Sequence, residues 1–330
     1  MLRTLILAAS LLRPAASPGI VYGDATWTAL VRDSYAFVGG KPEQFERWLQ
    51  PAWKKTTGKT FKEWLAEKRK ELKWASDNPK ATNRAEIKIC GELHAALKKT
   101  VTKFDLDRGY EFAWMEQRGE RQCLLQSVFI AAALQRMGIP AGIAMVWRSP
   151  NGAESTLGHV VAIATLPKNQ RLVVDASEPS LNVNPQGMFL PVASPNHYRF
   201  VTVSYQKDGT LAYAEDFETH ARYSPSQLGT LPVSYVKSQF LFYRAERIVG
   251  GLLAQPPTAD GLSKSERWMR ASAAADPRNP LTAYSVGRVL VREGKVAEAA
   301  KWGDRAEALF RSYGYMPPGL VDFQKATHRG

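Results

Sequence analysis

The chain has 330 residues, 45% hydrophobic and 23% charged, with a formal net charge of +13. That length has room for two domains or one with sizeable additions, and the composition excludes an intrinsically disordered chain, which could not bury a core. The positive excess is compatible with an anionic partner, such as a membrane surface, an acidic polymer or nucleic acid, and equally with a plain solvated basic surface.

Met1 to Ser17, MLRTLILAASLLRPAAS, sets an early arginine before an apolar run from Leu5 to Leu12 and small residues after it, the layout of an export signal. Pro18 opposes a cut directly after Ser17, so cleavage is expected elsewhere before about Tyr22. Residues 1–22 then read as a signal segment of an exported protein, periplasmic or secreted, with a cytoplasmic chain as the alternative. No later stretch approaches ~20 uninterrupted apolar residues, so no transmembrane span is expected.

Residues 24–75 carry TWTALVRDSYAFV, FERWLQPAWKK and FKEWLAEKRKELKWA, apolar at helical spacing with a lysine-rich outer face. Residues 23–79 therefore read as a helical N-terminal region. Trp27, Trp48, Trp53, Trp64 and Trp74 are expected to fill its core rather than to stack a ligand. Gly58-Lys59-Thr60 is no phosphate loop, because Trp53 stands where the loop needs its first glycine.

The polar stretch Ser76 to Asn83 reads as a linker, and a long helix is expected from Arg84 to about Lys103, with Cys90 among apolar neighbours as a small core residue. The chain has only two cysteines, so a disulfide from Cys90 to Cys123 is the main structural alternative for Cys123. No Cys-x-x-Cys or His-Glu-x-x-His spacing occurs, so neither a metal nor a cofactor is expected.

Cys123 stands directly before LLQSVFIAAALQRM, whose Leu124, Leu125, Val128, Phe129, Ala132 and Ala133 recur at helical spacing and would bury one face. A thiol at a helix N-terminus meets unpaired backbone N–H groups and the positive end of the helix dipole, both of which favour thiolate. The helix should stop at Met137, before Gly138 and Pro140. Strands follow: Ala141 to Trp147, His159 to Leu166 and Arg171 to Asp175, joined by short turns. His159 opens one strand and Asp175 closes the next, so antiparallel pairing brings them together. With the helix tip at that edge, a cysteine, imidazole and carboxylate relay results.

These residues resemble the transglutaminase-like superfamily of papain-type cysteine enzymes. The resemblance rests on Cys123 opening a helix that ends in Gly138-Ile139-Pro140, on Gly158-His159, and on Asp175 closing VVDAS, and it covers roughly residues 80–180. Arg121 stands where the family usually has glycine, and Val160-Val161 where an aromatic residue often follows the histidine. The resemblance implies an α+β fold with a papain-like, transglutaminase-like core, its nucleophile helix packed on an antiparallel sheet. It also implies a Cys123-His159-Asp175 catalytic triad in a domain over 80–232. The Cys123 backbone N–H is one donor for an oxyanion. Gln117 or Gln122 is a candidate second donor, as papain-type enzymes use a glutamine before the cysteine; the alternative for each is a surface glutamine.

Beyond Asp175 the sheet is expected to continue through His197 to Tyr205 and then TLAYAEDF. His197 and His220 are alternative bases without a carboxylate placed by a neighbouring strand, and Glu178 is an alternative orienter in a loop. Val233 to Gln255 reads as a helix, QPPTADG as a linker, and residues 280–310 resemble one tetratricopeptide repeat, with Gly287, Ala299 and Ala306 as close-approach positions. Residues 233–330 thus form a C-terminal helical region, a peptide-docking surface or a cap on the core.

The function expected is a cysteine-dependent amide hydrolase, protease or deamidase, or an acyltransferase, acting on a protein or peptide through a thioester. The alternative is a non-catalytic papain-like scaffold that binds a protein or anionic partner through its basic surface and C-terminal helices. Acetyl transfer on a similar triad would need a nucleotide-phosphate loop, which the sequence lacks.

Overall fold

The computed structural model describes residues 19–181 and 183–328. Of the signal segment expected over residues 1–22, residues 1–18 lie outside them. Ile20 and Tyr22 are buried, and the Tyr22 N–H donates to the Ala132 carbonyl at 3.0 Å. A processing cut that leaves this packing intact therefore falls before Ile20.

Three helices follow: α1 (Ala25–Val38), α2 (Glu43–Thr57) and α3 (Phe61–Ala75). Asp24 caps α1 by accepting from the Trp27 N–H, and Thr60 with Glu63 forms a reciprocal capping box on α3, so side chains satisfy amides that the helices leave open. Trp27, Trp53 and Trp64 are buried in an aromatic cluster with Phe45, Phe61 and Phe129. Trp74, at 82% exposed, stands outside that core.

Helix α4 runs over Pro79–Thr100, starting inside the stretch read as a linker. Asn78 accepts from the Lys80 and Ala81 amides and Pro79 supplies the pre-set φ of a first turn, so the polar residues start the helix. Two short strands, β1 (Lys103–Phe104) and β2 (Glu120–Arg121), pair in parallel around α5 (Phe112–Arg118). Gly109 lies directly on the Arg121 carbonyl, where any Cβ would collide, so glycine lets this connection hug the strand leading to Cys123.

Helix α6 (Cys123–Met137) is the centre of the molecule. Its sequence periodicity suggested one buried face, but nearly every side chain is buried, including Ile130, Ala131 and Leu134. The sheet covers one flank and α3 and α4 others, the situation of a helix that is apolar all round. Gly138, at φ 94°, takes the left-handed position that ends it.

The main sheet comprises β3 (Ala141–Arg148), β4 (Glu154–Thr165), β5 (Arg171–Val174), β6 (Gly187–Pro191), β7 (Tyr198–Tyr205), β8 (Leu211–Asp216) and β9 (Arg222–Tyr223). Their order is β5-β4-β3-β6-β7-β8-β9, and every adjacent pair is antiparallel. Strand β6, all five residues buried, slots between β3 and β7, so the sheet does not pass directly to β7 as the sequence suggested. A bridge from Leu172 to Thr210 draws β5 toward the start of β8, and the sheet curls around its own apolar cluster of Val146, Val161, Ile163, Met188 and Val201.

Helix α7 (Val233–Glu246) ends nine residues before Gln255, and α8 (Ala259–Ala275) begins within the expected linker, where Thr258 accepts from the Gly261 N–H. Helices α9 (Pro280–Arg292), α10 (Val296–Ser312) and α11 (Pro318–His328) complete the chain. Gly287 faces the Ala299 carbonyl of α10 and the Phe323 ring of α11, the close approach expected of a small residue. One apolar cluster runs from Ile20 to Leu320. A buried pair, Arg244 to Glu111 at 2.6 and 3.0 Å, also ties α7 to the start of α5; burial raises the Glu111 carboxyl and Arg244 opposes that rise. The fold is α+β, and among the described residues no helix is long and apolar enough to cross a membrane.

Candidate active site

The site is assembled where the tip of α6 meets an irregularity in β4. Register between β3 and β4 breaks after the Val146–His159 pair and resumes at Arg148–Glu154, so β4 bulges over 155–158, with Leu157 at φ 44°. Such bulges re-aim a strand locally. Here the bulge presents the Gly158 carbonyl to the tip of α6: the Cys123 thiol donates to it with a sulfur to oxygen distance of 3.8 Å.

His159 follows immediately. It lies within β4 rather than at its start, because the strand begins at Glu154. Asp175 directly follows β5. Continuing the Ala162–Val174 register by one residue sets Asp175 across from Val161, two positions from His159, and a two-residue repeat brings both side chains to the same side. They meet at 2.6 Å, His159 Nε2 to Asp175 Oδ2. The second carboxylate oxygen accepts from the Ser177 N–H at 2.9 Å. Burial disfavours a charged His159 ring, but the hydrogen bond to Asp175 and the nearby Cys123 outweigh it, and the imidazolium is held up to about 10. The structure thus gathers all three residues of the expected triad in one place.

Cys123 and Cys90 are both free, so the disulfide alternative is not formed. Cys90 is fully buried in α4, and burial pushes its thiol far up. Cys123 is itself only 2% exposed. Its cover is a residue that no sequence pattern singled out, Tyr243 of α7, whose hydroxyl donates to the Gly158 carbonyl at 2.8 Å and lies 3.9 Å from the sulfur. Tyr110 stacks on the Tyr243 ring and Arg247 sits 4.7 Å above it, which fixes its place. Burial and the neighbouring Cys123 raise the Tyr243 phenol well above its ordinary value, so it remains a hydroxyl donor. The His159 side chain keeps 29% of its surface and is the open flank of the site.

A ring of supports holds the segment that carries Asp175. Arg121, read from sequence only as a departure from a glycine position, is buried, and its guanidinium donates to the Val101 carbonyl (2.8 Å), the Ala176 carbonyl (3.1 Å) and Gln126 Oε1 (2.5 Å). Gln126 in turn donates to Ser177 Oγ. His94 of α4 places Nε2 3.1 Å from the Asp175 carbonyl and 3.3 Å from that of Glu178, and Lys98 also donates to Glu178. Burial lowers the His94 ring below its ordinary range. Glu178, the alternative orienter, contributes its backbone carbonyl to these braces.

The other expectations fall elsewhere. Gln117 is exposed and its amide donates to the Gly39 carbonyl after α1, so it is engaged away from the thiol. Gln122 is buried as the N-cap of α6, its Oε1 3.4 Å from the Leu124 N–H, which keeps it next to Cys123. The intrahelical ladder begins with Gln126 N–H on the Gln122 carbonyl, so the Cys123 N–H precedes it. His197 meets Arg199, and neither it nor His220 approaches the triad through a contact of its own. His220 does have a carboxylate from β8, Glu215 at 3.3 Å, contrary to the sequence reading, but that pair lies in solvent.

No protein-family model, no curated protein and no solved structure matches the chain.

Proposed function

We propose that the chain is a cysteine-dependent amide hydrolase, a protease or deamidase, or an acyltransferase, of transglutaminase-like type. The observation that carries this reading is the 2.6 Å His159–Asp175 contact standing beside a cysteine at a helix tip. The imidazolium side of the pair is favoured through neutral pH, so the resting nucleophile is matched with an acid already charged. The attacking form is the ion pair, in which the Cys123 proton has left the Gly158 carbonyl and rests on His159; the thiolate attacks the amide carbonyl, and the tetrahedral oxyanion is met by the Cys123 N–H with Gln122 as the candidate side-chain donor. His159 gives its proton to the departing amine. The neutral imidazole then takes a proton from water or a second amine, which resolves the thioester and returns the thiolate. Water yields proteolysis or deamidation, and an amine yields transfer.

The substrate in this reading is a protein or peptide, the route an exported one, and the basic surface and helices α8–α11 are the places for an anionic or peptide partner. Incubation with casein tests it: new N-termini report proteolysis, ammonia release reports deamidation, and dansylcadaverine incorporation into dimethylated casein reports transfer. One of these signals should appear and vanish in Cys123→Ala; a signal that survives the substitution refutes the assignment. The 2% exposure of Cys123 is the observation that favours the non-catalytic scaffold, which predicts none of the three signals.

A further inference from the structure

The N-terminal helices and the end of α6 line an open cleft of about 790 Å³ that the proposed chemistry does not use, a size typical of small-molecule sites. It opens at the far end of the nucleophile helix: Arg136 lines it from the last turn of α6, roughly 20 Å along the axis from Cys123 at ~1.5 Å per residue. Its floor is apolar, made by Tyr22, Trp27, Val31, Phe45 and Leu65, all buried. Its rim is charged unevenly, with Arg32, Lys62, Arg69 and Arg136 against Glu43 and Glu46.

Glu46 matches Lys62, and Glu43 is the one rim carboxylate left against Arg69 and Arg136, so the rim keeps a positive excess. Glu46 is already saturated, accepting from the Tyr22 hydroxyl at 2.6 and 2.8 Å, from Gln50 at 2.8 Å and from Lys62 at 2.9 Å. Arg32 leans on Asp33 at 3.6 Å. Arg69 and Arg136 have no hydrogen bond or ion pair among the described residues. Guanidinium groups offer a planar fork to carboxylates, and here two of them stand unmatched over an apolar floor. We propose that this cavity binds a single-chain amphiphile with an anionic head, a long-chain carboxylate, its alkyl chain on the Trp27, Phe45 and Leu65 floor and its carboxylate held by Arg69 and Arg136. The floor supplies affinity through apolar burial, and the arginines select the charge of the head.

Titration calorimetry of the full chain with dodecanoate, below the concentration at which it forms micelles, tests this. Dodecanoate should bind once per chain, and dodecanol, which has the same chain without the charge, about tenfold more weakly, as loss of a charge-assisted contact implies. Arg69→Gln and Arg136→Gln should each weaken dodecanoate about tenfold while leaving dodecanol unchanged. Both arginines are exposed, so the variants should melt like the native chain, and Cys123→Ala should bind as the native chain does. Equal binding of dodecanoate and dodecanol, unchanged affinity in both glutamine variants, or no binding at all would overturn the proposal without touching the triad.

Discussion

Replacing Asp175 by asparagine should release the proton that His159 holds. In the native site burial works against the charged ring, and Asp175 together with Cys123 reverses that, lifting it from the ordinary 6.5 to about 10. At ~1.4 kcal/mol per tenfold this corresponds to about 5 kcal/mol of preference for the imidazolium, an upper bound because water reaches the ring and screens the pair. The asparagine side chain keeps the shape but not the charge. Burial then acts with only Cys123 opposing it, and the ring should titrate near or below the ordinary range. The sign for stability follows. Because the folded-state value is raised, the pair's contribution is fully present below about pH 6.5, declines above it, and is gone once pH passes about 10. Nitrogen-15 spectra of histidine-labelled protein, with His159 assigned through His159→Gln, read the ring directly. A native His159 that titrates near 6.5, or one that Asp175→Asn leaves unmoved, would refute the electrostatic argument for the site.

Three further outcomes are expected. Tyr243→Phe removes the donor to the Gly158 carbonyl and the polar cover of the sulfur, so Cys123 should alkylate several-fold faster at a stability cost of about 1 kcal/mol in urea unfolding; slower labelling would contradict the covering role. Arg121→Ala strands the Val101 and Ala176 carbonyls and should cost about 3 kcal/mol or more by the same measurement, while a cost within ~0.5 kcal/mol would show that the brace is idle. Arg244→Met leaves Glu111 buried without its cation and should cost about 3–5 kcal/mol, most of which Glu111→Gln in the same chain should restore; no rescue would mean the cost lies in packing against Phe37 and Trp268 instead.

The meeting of Cys123, His159 and Asp175 was legible in the sequence because local rules govern it. A helix start at Cys123, a Gly-Ile-Pro stop and two strands joined by a short turn bring His159 and Asp175 together without knowledge of the rest of the chain. What stayed hidden depends on contacts distant in sequence. Tyr243 lies 120 residues from Cys123 and looks in sequence like any other aromatic residue of its helix. Arg121 reads only as a departure from a glycine position until the carbonyls of Val101 and Ala176 surround it. Strand β6 was invisible because five residues buried on both faces show no alternation. The bulge over 155–158 was unreadable for a different reason: a strand interrupted by Leu157 in the left-handed region looks like a loop, so β4 seemed to begin at His159. Linker composition misled twice, at Asn78 and Thr258, where polar residues cap helices rather than separate them.

The central claim, that Cys123 is an activated nucleophile paired with His159, is tested most directly by iodoacetamide labelling of the native chain and His159→Ala across pH, with the modified cysteine located by mass spectrometry. The native chain should label Cys123 rapidly already below about pH 7, and the variant many-fold more slowly at the same pH. Identical profiles in the two proteins, or a Cys123 that labels only after unfolding, would contradict the account.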